Sequence, residues 1–267
     1  MEKHHSLMDI HRKLVELIDG GRSFAVALIL KADGSTPQKV GVKAVIEGTG
    51  TIRGTLGGGL VEAETQRRAV EACGSGRPFV FDFQLDDDYT RDAGAICGGS
   101  MRILIDTTAA KDRECYAQAA EAFEVRERGV LLTTVRAAAE TAVTVEWYSE
   151  EDIPPETDFP GAAAVRSCLA RETSRLFVND SQPDETVEVL VEPVIPEPVL
   201  LIAGGGHVGQ ALARQAVLIG FDVTVLDDRP EFTKPALFPE GVTTLCGDVP
   251  REVAAFPVAE DTYVVVV

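Results

Sequence analysis

The residues best suited to chemistry in this 267-residue sequence are one cysteine, one carboxylate and several clusters of glycine. Cys97 lies in "GAICGGSMRILID", after a loop carrying Asp86, Asp87, Asp88 and Asp92 and before an apolar run. Bare amides at Gly98 and Gly99 would stabilise its thiolate, while the aspartates oppose that unless they point outward. Such a thiolate could contact a metal or hold transferred sulfur; turned inward, it is a small core residue. "GTLGGGLVEAE" sets Gly57, Gly58 and Gly59 at a helix start, where unshielded amides and the helix dipole make an anion site. Glu62 falls in the first turn of that helix. It either stabilises the helix through its dipole or pairs with the N–H edge of a pterin or guanine ring. "GSTPQKVG" supplies a third bare loop, with Gly34 and Pro37, and with hydroxyls on Ser35 and Thr36. Lys39, Lys43 and Arg53 bring positive charge near these loops.

A fourth cluster follows a different rule. "LLIAGGGHVGQALARQAVLIGFDVTVLDD" spaces Gly204, Gly206 and Gly209 as G-x-G-x-x-G between a strand and a helix. The first glycine allows the tight turn, the second lets backbone approach a pyrophosphate, and the third lets helix and strand pack closely. Asp227, at the end of the next strand, stands where a carboxylate accepts from ribose hydroxyls and favours NAD over NADP. Arg229 could instead reach a 2′-phosphate. His207, inside the turn, either touches phosphate or covers the helix end.

These residues need elements to hold them. Leu7, Ile10, Leu14, Leu17 and Ile18 repeat at helical spacing, and "SFAVALIL" reads as a buried strand. Short strands "KAVIEG" and "TIRGTL", a glycine-led helix from Gly57, and strands "PFVFDF" and "MRILID" follow. A helix over about 112–128 and strands "GVLLTTV", "AVTVEWY" and "TVEVLVEPV" complete this part. "EPVIPEP" then interrupts, because three prolines suit neither a central sheet nor a helix interior. Beyond it strands and helices alternate, which implies a parallel sheet. The expectation is therefore an α/β chain: an N-terminal mixed α/β domain over 1–192, a proline-rich linker over 193–198, and a Rossmann-like domain over 199–267. The chain closes on the apolar strand "TYVVVV". Parallel strands are buried on both faces, so the Rossmann-like domain is expected to be incomplete or covered by another protomer.

Composition narrows the function. A net charge of −18 argues against a nucleic-acid partner or an anionic membrane, since both demand clustered Lys and Arg. No apolar run reaches the roughly 18 residues a transmembrane helix needs. Five scattered cysteines without CxxC or Cys/His spacing indicate neither a disulfide framework nor a metal-ligand set, and fit a reducing cytoplasm. "DDD" reads as a solvated loop face.

Taken jointly, "GSTPQKVG", "GTLGGGLVEAE", "GAICGGSMRILID" and the later glycine fingerprint resemble the XdhC/CoxI family. Its members are maturation factors for molybdenum hydroxylases of the xanthine or carbon monoxide dehydrogenase type. The resemblance implies binding of the molybdenum cofactor, as molybdopterin or its dinucleotide form. It implies sulfuration with a cysteine desulfurase as partner, and delivery to the apo molybdenum hydroxylase. On that reading Gly34, Ser35 and Pro37 match the first motif. Gly57, Gly58, Gly59 and Glu62 match the second, and Cys97, Gly98 and Gly99 the third. Leu60 departs from relatives that carry Cys or His there, and the family's chains usually continue past this one's last strand. A homo-oligomeric, cytoplasmic accessory factor is expected, more than a stand-alone catalyst. The alternatives are an NAD(P)-dependent oxidoreductase, in which Glu62 or the aspartates would serve as acid or base, and a nucleotide-sensing regulator.

Overall fold

The first long strand, β1 (Phe24–Gly34), has every residue from Phe24 to Leu30 buried, so both of its faces must be covered. The computed structural model, which describes residues 7–85, 99–154, 161–182 and 185–267, shows by what. β1 lies centrally in a five-stranded sheet with β2 (Lys43–Glu47), β3 (Ile52–Gly54), β4 (Phe79–Leu85) and β5 (Gly99–Asp106), in the order β3-β2-β1-β5-β4. Successive side chains of a strand point to opposite faces. Ala25, Ala27 and Ile29 accordingly pack with Val61, Ala69 and Ala72 of helix α2 (Gly59–Ser75). Leu28 and Leu30 point the other way, onto Val135, Val143 and Leu190 of a second antiparallel sheet.

That second sheet contains β6 (Gly129–Ala137), β7 (Thr141–Ser149), β8 (Arg175–Gln182) and β9 (Glu185–Val194), ordered β7-β6-β9-β8. Helices α1 (Leu7–Asp19) and α3 (Arg113–Glu124) bury Ile10, Leu14, Leu17, Tyr116 and Phe123 against strands of both sheets. Helix α4 (Ala162–Ala170) covers the outer face of the second sheet through Val165, Cys168 and Leu169. The sequence pattern did not disclose α4 or β8.

Charge is buried between the sheets. Glu188 and Glu192 of β9 are 3 % and 5 % exposed and flank Leu190 on the face towards the first sheet. Arg102 of β5 donates to both oxygens of Glu188, at 2.8 and 3.2 Å. Lys43 of β2 pairs with Glu192 at 3.0 Å, and Thr133 donates to the same carboxylate at 3.2 Å. Removing one partner of such a pair strands the other in low dielectric. Lys43, expected near the glycine loops as positive charge, is committed here instead.

The chain divides into two compact units, 1–196 and 197–267. The second contains β10 (Val199–Ala203), helix α5 (His207–Leu218), β11 (Asp222–Asp227), β12 (Thr243–Cys246), helix α6 (Val249–Ala255) and β13 (Thr262–Val266). All four strands are parallel, in the order β12-β11-β10-β13. β11 and β13 lie on opposite sides of β10, so the order reverses beside β10 and opens a crevice at the carboxyl ends of the strands. Tyr263, Val264 and Val266 of β13 are exposed within this unit. Among the described residues, no helix is long and apolar enough to cross a membrane.

Candidate functional site

The glycine loops of the first unit meet at the carboxyl end of β1. Gly34 ends that strand at φ +73° and pairs with Gly99 at the start of β5. A Cβ at Gly99 would stand 2.6 Å from the carbonyl oxygens of both Asp33 and Ser35, so only glycine allows the strands to close there. Gly57, at φ +103°, packs directly under the Pro37 ring, and a Cβ would overlap it. The loop holding Ser35 thus touches the "GGG" turn on one side and the start of β5 on the other. Ser35 and Pro37 are exposed, while the Thr36 hydroxyl is spent on the Gln38 carbonyl at 3.0 Å.

Gly58 and Gly59, at φ +72° and +60°, carry the chain into α2 and have open space where a Cβ would lie. The first-turn amides of a helix lack intrahelical acceptors, so the exposed Gly59 and Leu60 N–H groups are available to a guest. Glu62 reaches back over the turn rather than outward. Its Oε2 accepts from the Thr55 hydroxyl at 2.7 Å, the Leu56 amide at 2.9 Å and the Gly58 amide at 3.3 Å. Thr55 in turn accepts from the Gly57 amide at 3.0 Å. The carboxylate is thereby the fastener that holds three glycines in left-handed conformations.

Beside this turn, an open groove of about 460 Å³ runs between Leu60, Ala63 and Arg67 of α2 and Asp82, Phe83 and Gln84 of β4. Arg67 and Arg68 both pair with Glu64, which holds that carboxyl down to about 2. Arg68 also lies 4.3 Å over the Phe81 ring. Lys39 and Arg53 are exposed. Cys97 and Gly98, like Asp86, Asp87, Asp88 and Asp92, lie outside the described residues. Among the described residues no cluster of His, Cys, Asp and Glu could hold a metal ion.

In the second unit the glycine turn follows β10. Gly204 adopts φ +126° with the Val267 backbone against it, and a Cβ at Gly209 would overlap the Gly204 carbonyl oxygen. Gly206 faces open space, as close approach by a ligand requires. Gly205, between the fingerprint positions, is also confined, because the Phe232 carbonyl fills the place of its Cβ. His207 is the first residue of α5 and is exposed. Asp227 is 2 % exposed and accepts from the Gly205 amide at 2.8 Å. It also accepts from the Arg229 amide and from two guanidinium nitrogens of Arg229. These bonds, that from the Arg229 side chain foremost, hold its carboxyl well below the usual range. The fingerprint foretold the position of Asp227 but not its fastening to the turn.

Comparison with known proteins gives matching results for both units. Residues 17–84 match the model of the XdhC and CoxI family, and residues 200–267 match that of the XdhC Rossmann domain. Together these matches span about half of the chain. A protein of Bacillus subtilis (strain 168) described as a probable subunit of xanthine dehydrogenase is 23 % identical over 235 residues, covering 87 % of this chain and 68 % of its own length. The Escherichia coli (strain K12) uncharacterized protein YqeB is 21 % identical over 260 residues, 97 % of this chain, which spans about a third (32 %) of that relative. A solved structure from Bacillus halodurans, described as a xanthine dehydrogenase, shares the fold with a TM-score of 0.70 and 20 % identity, over 96 % of this chain and 74 % of the other.

Proposed function

The chain belongs to the XdhC/CoxI family, and from that premise we propose that it is an accessory protein in the maturation of a molybdenum hydroxylase. In this reading it binds the molybdenum cofactor, supports its sulfuration with a cysteine desulfurase, and delivers it to the apo-enzyme. It acts in the cytoplasm as a homo-oligomer. The supporting observation is the convergence of loops: Gly99 against Ser35, Gly57 against Pro37, and Gly58 and Gly59 open at the start of α2. Bare amides at a helix start suit the phosphate end of a pterin cofactor, and the helix dipole favours its charge. The Ser35 hydroxyl and the exposed Arg53 and Lys39 add donors in a very acidic chain. When bound, the cofactor supplies the metal centre that the recipient hydroxylase uses. Cys97, Gly98 and Gly99 are assigned to the same site, with the thiol of Cys97 as ligand contact or sulfur carrier. Glu62 is assigned the turn itself, with Oε1 left for an N–H edge of the guest. The second unit is assigned an adenine dinucleotide, its pyrophosphate at Gly204, Gly206 and His207, with Gly209 closing helix on strand.

Purification of the full chain from a host that makes the cofactor tests this directly. Bound pterin and molybdenum are expected at close to one per chain. Leu60→Asp, which puts a carboxylate on an exposed first-turn position of α2 in ordinary helical backbone, should cut retained pterin about tenfold or more with the fold intact. Protein free of pterin from such a host would remove the cofactor reading.

A further inference from the structure

The glycine turn of the second unit is bordered by an ion pair that its fingerprint does not call for. An ionised carboxylate offers about four acceptor positions. All four on Asp227 are filled: Oδ1 accepts from the amide and Nε of Arg229, both at 2.9 Å, and Oδ2 from the Gly205 amide at 2.8 Å and Arg229 Nη2 at 3.0 Å. Two of these bonds come from backbone and fix the carboxylate to the turn. The other two come from a guanidinium that is 54 % exposed. That guanidinium lies 4.2 Å over the ring of Phe232, whose carbonyl rests on Gly205, so Arg229 stands at the lip of the glycine turn.

We propose that Arg229 is a displaceable latch, occupying the ribose-binding oxygens of Asp227 until an adenine dinucleotide with free 2′ and 3′ hydroxyls replaces it. The inference rests on the assignment of the glycine turn to a dinucleotide. The exchange conserves hydrogen bonds, since two N–H donors leave the carboxylate and two O–H donors arrive. The buried carboxylate therefore keeps four donors throughout, and the departing guanidinium, already half exposed, returns to water. Charge argues against the other use of this arginine, as receptor for a 2′-phosphate. The acidic groups acting on Arg229 are Asp227, Asp228 at 3.7 Å, and Glu231, so a phosphate would enter among three carboxylates with the cation already committed. The lip is thus built for NAD-type ligands and against NADP-type ones.

Titration of the full chain with NADH and NADPH, followed by calorimetry, tests the latch. NADH should bind at least tenfold tighter than NADPH. Arg229→Ala should tighten NADH about fivefold or more, because it leaves the buried carboxylate two donors short, without admitting NADPH. Arg229→Lys, which keeps the charge but loses the fork, should also tighten NADH, by less. Circular dichroism and denaturation confirm that each variant is folded. NADH binding that is unchanged or weaker in both variants overturns the latch and leaves the dinucleotide site standing. NADPH binding as tightly as NADH, and lost in Arg229→Ala, makes Arg229 a phosphate receptor and overturns it as well. Failure of wild type and variants to bind either nucleotide removes the dinucleotide assignment and the latch with it.

Discussion

The two glycine turns solve one problem in opposite ways. Each follows a strand, opens a helix and uses a buried or half-buried carboxylate to hold its amides. In the first unit that carboxylate is Glu62, only a few residues along the same segment, so the turn is shaped locally. In the second it is Asp227, reaching Gly205 from the neighbouring strand twenty-two residues away. The backbones differ accordingly. Gly57, Gly58 and Gly59 all take positive φ, whereas in the later turn only Gly204 does. There, Gly205 and Gly209 are glycine because other backbone occupies the space of a side chain. One turn needs conformational freedom, the other needs room.

That contrast predicts its own largest break. At Gly209 a Cβ would overlap the Gly204 carbonyl, and neither backbone can yield without parting α5 from β10. Gly209→Ala should therefore destabilise the second unit by about 3 kcal/mol, the upper range for overpacking. Gly58→Ala has open space and bears only its backbone conformation, φ +72° with ψ −169°, a cost of about 2 kcal/mol. Denaturant unfolding of both variants checks the order, and equal losses would erase the distinction between room and freedom.

Acid should separate the two units next. His11 is 1 % exposed, has the Tyr116 and Phe123 rings 6.2 and 6.4 Å away, and has no hydrogen-bond partner for either ring nitrogen among the described residues. Burial, and secondarily the charge of Lys43, hold its pKa well below the ordinary histidine value. The folded state thus prefers the neutral ring. The unfolded chain binds the extra proton once pH falls below about 6.5, and stability is lost from there downward. Asp227 is also depressed, but from a carboxylate's reference value, so its contribution is full above about 3.9 and is lost only below that. Trp147, the sole tryptophan, packs against the cluster that includes Tyr116 and Phe123 and reports the first unit alone. Its thermal midpoint should fall between pH 6.5 and 5, and His11→Leu should flatten that fall. Asp106 and Asp112, whose carboxyls burial pushes up, act in the opposite sense, so the variant decides: a His11→Leu midpoint that follows pH as the wild type does would show that His11 carries no such linkage.

Legibility from sequence followed the same division. In the second unit apolar runs, glycine spacing and Asp227 follow one rule, so the parallel sheet and the place of Asp227 at a strand end could be anticipated. In the first, strands were readable where apolar residues clustered, but α4 and β8 were not, because "RLFVNDSQ" lacks a strong apolar alternation. The pattern of β9 also conceals its energetics. Glu188 and Glu192 alternate with valines as they would on a half-solvated strand, yet both are buried, because Arg102 and Lys43 arrive from other strands. The same pairing removed Lys43 from the expected site. Sequence spacing records which side chains share a face, not what a distant segment sets opposite them. Three excesses of glycine likewise suggested close backbone approach around one guest, but not which neighbour each glycine would meet, Ser35 for Gly99 and Pro37 for Gly57.

The smallest effect concerns Glu62, and it sharpens the comparison most. As a fastener, Glu62 supplies one oxygen to Thr55, Leu56 and Gly58, and Glu62→Ala should cost about 1 kcal/mol, as for loss of a helix cap. Glu62→Gln retains an acceptor oxygen of the same reach and should restore most of that stability. Cofactor retention can move independently. If Oε1 also accepts from a ring N–H, the glutamine must turn its single oxygen either to the turn or to the guest, and leaves an amide donor facing the other. Pterin retention should then fall in Glu62→Gln while stability does not. If both recover together, Glu62 serves the turn alone, and the first glycine turn holds its guest as the second holds a pyrophosphate, through backbone.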